Sequence, residues 1–246
     1  MIDKFLLEEH IVIYGVEKGD PNVPKSQLVN EIYYKIKQSG LIDEIEYYIE
    51  NKMLIIIDIR EIYSFKQSID INDPLDKWIS IIKEAKRKGN FRGIAIIAEG
   101  TTAFRDSNNQ IRLLLYEQAI LKAATEMGVL WVICCYLEES IDRLHFSNLI
   151  SIINSHQCII RGRSIEETRQ ISSSILLEAI TEGIEDALGS GSGRLVMQTM
   201  KMIYKINVET IISNPFLFEE KLQKILGNSS EIVLTYITKR IKEILT

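Results

Sequence analysis

Residues 91 to 136 read FRGIAIIAEGTTAFRDSNNQIRLLLYEQAILKAATEMGVLWVICCY, and this stretch decides the fold. An apolar run from Gly93 to Ala98 stops at Glu99-Gly100-Thr101-Thr102, a polar loop leads into a helical pattern, and a second apolar run spans Val129 to Tyr136. Short runs of Ile, Val and Ala fit strands buried on both faces, and a connecting helix is what parallel pairing requires. The unit reads as a parallel strand, helix, strand crossover. Open α/β sheets bind ligands outside the carboxyl ends of their strands, so Glu99, Thr101 and Thr102 are the first site candidates.

The flanking chain repeats the alternation. His10 to Gly15 is a short strand candidate. In the loop after it, GVEKGDPNVPKSQ, Lys25-Ser26 echoes the end of a nucleotide-binding phosphate loop. Pro24 stands where that loop has glycine and offers no N–H to a phosphate, so the loop is degenerate or absent. Ser26 caps a helix striped by Leu28, Val29, Ile32, Tyr33 and Ile36. Ile45, Tyr47 and Ile49 then alternate with acidic residues as in a half-exposed strand, turned back at Asn51-Lys52 into the buried run MLIIIDI of residues 53 to 59; a short helix over residues 42 to 50 is the alternative. Asp73-Pro74 starts a helix carrying Leu75, Trp78, Ile79, Ile82 and Ala85, and Gly89 stops it.

Within the opening stretch, Leu113, Tyr116, Ile120, Ala124 and Met127 give the connecting helix one apolar side, and Gly128 ends it. A helix over residues 138 to 154 and a short strand from Cys158 to Ile160 complete five or six strands interleaved with four helices, an α/β sheet. Ser164 to Leu188 reads as one long helix that packs on the sheet or pairs with its counterpart in a dimer. GSGSGR, residues 189 to 194, follows a helix instead of a strand, so it is a flexible joint and not a dinucleotide fingerprint. Beyond it, Asn214-Pro215 starts a helix that Gly227 closes, and Ile232 to Leu245 is the last.

Bulk properties exclude several classes. With 246 residues and 46% hydrophobic side chains the chain can bury a real core, and no apolar run approaches the ~20 residues of a membrane helix. The first ten residues, MIDKFLLEEH, lack the basic start and apolar segment of a secretory signal, so the expectation is a cytoplasmic protein. Residues 1 to 186 hold 21 basic and 29 acidic side chains against 8 and 5 in residues 187 to 246, which speaks against direct nucleic-acid binding by the first part. Cys134, Cys135 and Cys158 lie in apolar runs as reduced thiols, and His10, His145 and His156 lack metal-site spacing, so neither a metal nor a cofactor is expected. No Ser, His, Asp set or paired carboxylate motif identifies catalysis.

Four features together resemble the MEDS sensory domain of methanogen and methylotroph regulators, a relative of the KaiC and RecA type of ATPase core. They are His10 with Tyr14 on the first strand, the strand end from Ala98 to Ala103, LLLYEQ with Tyr116-Glu117 before the strand ending Cys134-Cys135-Tyr136, and the helix end Ile152-Ile153-Asn154-Ser155-His156. They cover most of residues 10 to 161, and the usual pattern is departed from between residues 41 and 60. The resemblance implies a catalytically silent, ligand-sensing derivative of that ATPase fold. The tail, with Asn214, Pro215, Phe218 and Gly227, resembles the NitrOD type of helical output domain in archaeal signalling proteins.

The combined expectation is a KaiC/RecA-like, mostly parallel α/β sensory domain over residues 1–162, a connecting helix over 163–188, and a small all-α output domain over 189–246. A small molecule binds at the strand ends, and residues 164–246 meet a protein partner or a second copy. The candidate contacts are Glu99, Thr101, Thr102, Arg105, Tyr116, Glu117, Cys135, Tyr136, His10 and Tyr14. Glu99 either meets ligand or pairs with Arg105. Tyr116 reads as core, Glu117 as a solvated helix position, and His10 as structural. The alternatives are an ATPase using a non-standard loop around Lys25-Ser26, and a plain interaction scaffold.

Overall fold

The computed structural model describes residues 2–16, 25–38, 45–59, 62, 72–87, 91–99, 110–136, 141–156, 159–160, 168–169 and 172–245. They form two compact units, Met1–Ser140 and Ile141–Thr246.

The first unit is an α/β layer structure. Its strands are β1 (His10–Val16), β2 (Leu54–Asp58), β3 (Gly93–Glu99) and β4 (Trp131–Cys135), joined in the order β2-β1-β3-β4 with every pairing parallel. Helices α1 (Ile2–Leu7), α2 (Lys25–Gln38), α3 (Ile45–Glu50), α4 (Asn72–Lys86) and α5 (Gln110–Glu126) fall around and between them. The two inner strands carry the core: Ile11, Val12, Ile13 and Val16 of β1 and Ile94 to Ile97 of β3 are buried. β4 is an outer strand of this sheet and its Trp131 is 46% exposed, so the second apolar run of the opening stretch is not covered on both faces as expected. Trp78 of α4 lies over β1, where a Cβ on Gly15 would meet its ring at 3.6 Å.

Residues 45 to 50 are a helix and not the outer arm of a hairpin. Lys52 N–H donates to Ile49 O (2.9 Å) and Met53 N–H to Tyr48 O (2.7 Å), the paired bonds of a Schellman stop, with Lys52 at φ 55. The apparent alternation of Ile and Tyr with Glu is equally a helical surface, and the stop closes the helix just before β2. The same motif closes α5 through Gly128 at φ 65, as expected for that glycine.

The second unit is helical: α6 (Phe146–Ser155), α7 (Ser173–Leu188), α8 (Ser190–Met202), α9 (Val208–Ser213), α10 (Pro215–Leu226) and α11 (Ser230–Leu245), with a 3₁₀ turn at Gly227–Ser229. Ile159–Ile160 pairs antiparallel with Thr168–Arg169, so the run ending at Ile160 does not extend the parallel sheet, and the helix expected from Ser164 starts only at Ser173. Ser172 caps it by accepting from Ile175 N–H (3.4 Å). The glycine-rich GSGSGR is no joint. Gly189, at φ 78, breaks the chain between α7 and α8, and Ser190 onward is helix. Asn214 and Gly227 bound α10 as the sequence indicates, Asn214 accepting from Leu217 N–H at 3.2 Å. Phe146 and Phe218 meet in its core with ring centres 5.5 Å apart.

Candidate functional site

Chain order and strand order disagree at β1. The chain leaves β1 for β2 on one side, then returns across it to β3 on the other, which makes the β1/β3 boundary a topological switch point. At such a boundary crossover connections leave the carboxyl ends of the two strands in opposite directions, and it is there that open α/β sheets bind ligands. Glu99 is the last residue of β3 and stands in register with Cys135, the last residue of β4. Tyr136 follows directly and is half-buried. Thr101, Thr102 and Arg105 lie outside the described residues.

At the same edge β2 ends in Asp58, in register with Val16 and only 2% exposed. Sequence reading overlooked it. The signal was available, because Asp58 follows the apolar run MLIII as Glu99 follows GIAIIA.

Tyr116 is buried, in agreement with its place on the apolar stripe of α5. Glu117 is not the solvated position expected of it. It is 4% exposed, and among the described residues its Oε2 is buried without a hydrogen-bond partner. Burial alone pushes its carboxyl up to about 8, so it is mostly protonated at neutral pH. Its spacing explains the placement: Glu117, Ile120 and Ala124 recur at intervals of three and four, which puts the carboxyl on the buried face of α5.

A carboxyl oxygen of Glu117 lies within 4.8 Å of the Cys134 sulfur. Burial, then Glu117, then Cys135 push the Cys134 thiol well above its ordinary value. Successive strand side chains point to opposite faces, so Cys134 and Cys135 cannot share this position. Cys134 was therefore missed in favour of its neighbour.

His10 and Tyr14 sit elsewhere on β1. His10 opens the strand in register with Gly93, packs edge-on to Phe5 with ring centres 5.9 Å apart, and lies at the amino end of the sheet, six strand positions from Val16. At ~3.3 Å per residue this is about 20 Å from the carboxyl edge. Tyr14 lies in mid-strand between Ile56 and Ile97. The carboxyl edge thus brings together Glu99, Cys135 and Tyr136, with Glu117 on the helix between β3 and β4, and leaves His10 apart.

A family model described as "MEthanogen/methylotroph, DcmR Sensory domain", MEDS, matches residues 35–157, half of the chain. The chain belongs to the MEDS family. No curated protein and no solved structure matches it. The MEDS match runs from α2 through α6, so it contains Asp58, Glu99, Glu117, Cys134 and Tyr136 and excludes β1. Membership gives the chain a sensory role in signal transduction. Among the described residues no helix is long and apolar enough to cross a membrane.

Proposed function

We propose that this MEDS protein binds a small molecule at the carboxyl edge of its parallel sheet and relays occupancy to its helical C-terminal region. The observation that carries the reading is the sensory-family match over a sheet whose switch point is flanked by Glu99. Glu99, Glu117, Cys135 and Tyr136 are the contacts in this reading, joined by Thr101, Thr102 and Arg105, which follow β3 in the sequence. Recognition, not turnover, is the role of Glu99. The domain is read as a KaiC/RecA-like core without a phosphate grip, residues 1–162. Residues 163–188 connect it to an archaeal, NitrOD-type output module, residues 189–246, and contact with a protein partner or a second copy runs through residues 164–246.

Relay of this kind requires the ligand to favour one of two states of the protein, because a ligand of equal affinity for both shifts nothing. Native mass spectrometry of the protein purified from its source cells tests for a retained small molecule. The expected result is an added mass that Glu99→Gln and Tyr136→Ala both remove; retention in both variants overturns the site.

An ATPase reading has one favourable observation: Lys25 and Ser26 open the helix that follows β1. Calorimetry with ATP and magnesium separates the two. The sensory reading predicts no binding that depends on Lys25, since Pro24 withholds the N–H a phosphate would need.

A further inference from the structure

A buried carboxyl and a partly buried thiol stand close together in the first unit. Glu117 carries a carboxyl oxygen, Oε2, with no hydrogen-bond partner among the described residues, and a carboxyl oxygen of the same side chain lies within 4.8 Å of the Cys134 sulfur. Leaving a buried polar oxygen unsatisfied is costly, and a thiol is only a weak donor to it. One kind of guest answers both groups.

We infer that Glu117 and Cys134 are two protein ligands of a thiophilic divalent cation of the zinc type, held between α5 and β4. Softness points this way, because a thiolate beside a carboxylate suits zinc and its borderline neighbours and not magnesium or calcium, which take oxygen donors. Charge points the same way. Binding releases one proton from the thiol and one from the carboxyl, and a dication with one thiolate and one carboxylate is neutral overall, which is the combination a low-dielectric site accepts. Reach is adequate: tetrahedral ligands of one zinc ion, with Zn–S about 2.3 Å and Zn–O about 2.0 Å, stand about 3.5 Å apart, so rotamer adjustments of about 1 Å close the gap. Spacing rules find ligands close in sequence on one loop or helix; here the donors come from a helix and the following strand, seventeen residues apart in the chain. The inference shares Glu117 with the sensory reading and goes beyond it in Cys134, which that reading does not use.

The test is titration of the full chain, stripped of metal by a chelator, with Co²⁺. The expected result is one Co²⁺ per chain with thiolate-to-cobalt charge-transfer absorption. Cys134→Ser abolishes that absorption, and Glu117→Gln weakens binding about 10-fold or more. Absence of the absorption in the unaltered chain, or its survival in Cys134→Ser, overturns the proposal. Should the variants fail to fold by circular dichroism, the unaltered chain still decides: Zn²⁺ is expected to protect Cys134 from alkylation, mapped by peptide mass spectrometry, and equal labelling with and without Zn²⁺ overturns the proposal. Loss of the retained small molecule in Glu99→Gln with intact Co²⁺ binding would separate the two sites.

Discussion

Gly183 of α7 lies directly against the backbone of Ile237 on α11: a Cβ at Gly183 would stand 2.5 Å from Ile237 Cα and 2.8 Å from its N. The two helices therefore meet backbone to backbone, and no rotamer change at Ile237 can make room. In an isolated helix Gly→Ala gains about 1 kcal/mol. Here the forced separation of α7 and α11 outweighs that gain, and Gly183→Ala is expected to destabilise the helical unit by roughly 1–3 kcal/mol in chemical denaturation. Gly191, on α8, has nothing within 4 Å of the same position, so Gly191→Ala should be neutral or stabilise by up to about 0.5 kcal/mol. Equal effects of the two substitutions would refute the close approach.

Lys52 holds the left-handed stop of α3 at φ 55 with a side chain that disfavours it. A non-glycine residue there costs about 1 kcal/mol relative to glycine. Lys52→Gly should raise the midpoint of thermal unfolding, and Lys52→Val should lower it, because branching at Cβ worsens the same conformation. A lowered midpoint for Lys52→Gly would mean that the lysine side chain contributes more than its strain costs.

The parallel sheet was legible because its inner strands are nearly uninterrupted apolar runs, and α4, α5 and α10 because proline, asparagine and glycine punctuate them. α3 was not, since six residues of alternating Ile, Tyr and Glu satisfy both periods and the deciding hydrogen bonds of Lys52 and Met53 are backbone events. The glycine-rich start of α8 was misread for a tertiary reason. Gly193 is selected by close packing on α7, where a Cβ would meet Glu185 Cα at 3.3 Å, and not by flexibility. Of the site, Glu99 follows from its place after a buried run, whereas Glu117 and Cys134 become partners only when a helix face and a strand face are brought together.

Glu46 of α3 accepts from Lys37 and from Tyr33 of α2, and these two hydrogen bonds hold its carboxyl down at about 2. A carboxylate with a folded-state value below its unfolded one contributes stability above the unfolded value near 4.5, and that contribution is lost as pH falls from there through about 2. Carboxyl-resolved NMR titration should place the Glu46 midpoint near 2 in the unaltered protein and return it toward the ordinary range in Lys37→Met. In acid denaturation Glu46→Gln should flatten the limb between those two values. A Glu46 midpoint unmoved by Lys37→Met would show that the α2 to α3 contact is not what depresses it.

Glu117→Leu separates the cost of the buried carboxyl from its use. In the chain without metal the unpartnered oxygen is a liability, and an apolar side chain of similar volume on the buried face of α5 should raise stability by about 1–3 kcal/mol. Added Zn²⁺ reverses the ranking: the unaltered chain gains from any cation bound only by its folded state, by an amount that grows with the logarithm of concentration over Kd, and the leucine variant gains less. Thermal unfolding of both proteins with chelator and with Zn²⁺ measures the crossover. A residue that lowers the stability of the empty protein and raises that of the loaded one is kept for its ligand. If Glu117→Leu destabilises the metal-free chain instead, the carboxyl has a structural partner and its burial needs no guest.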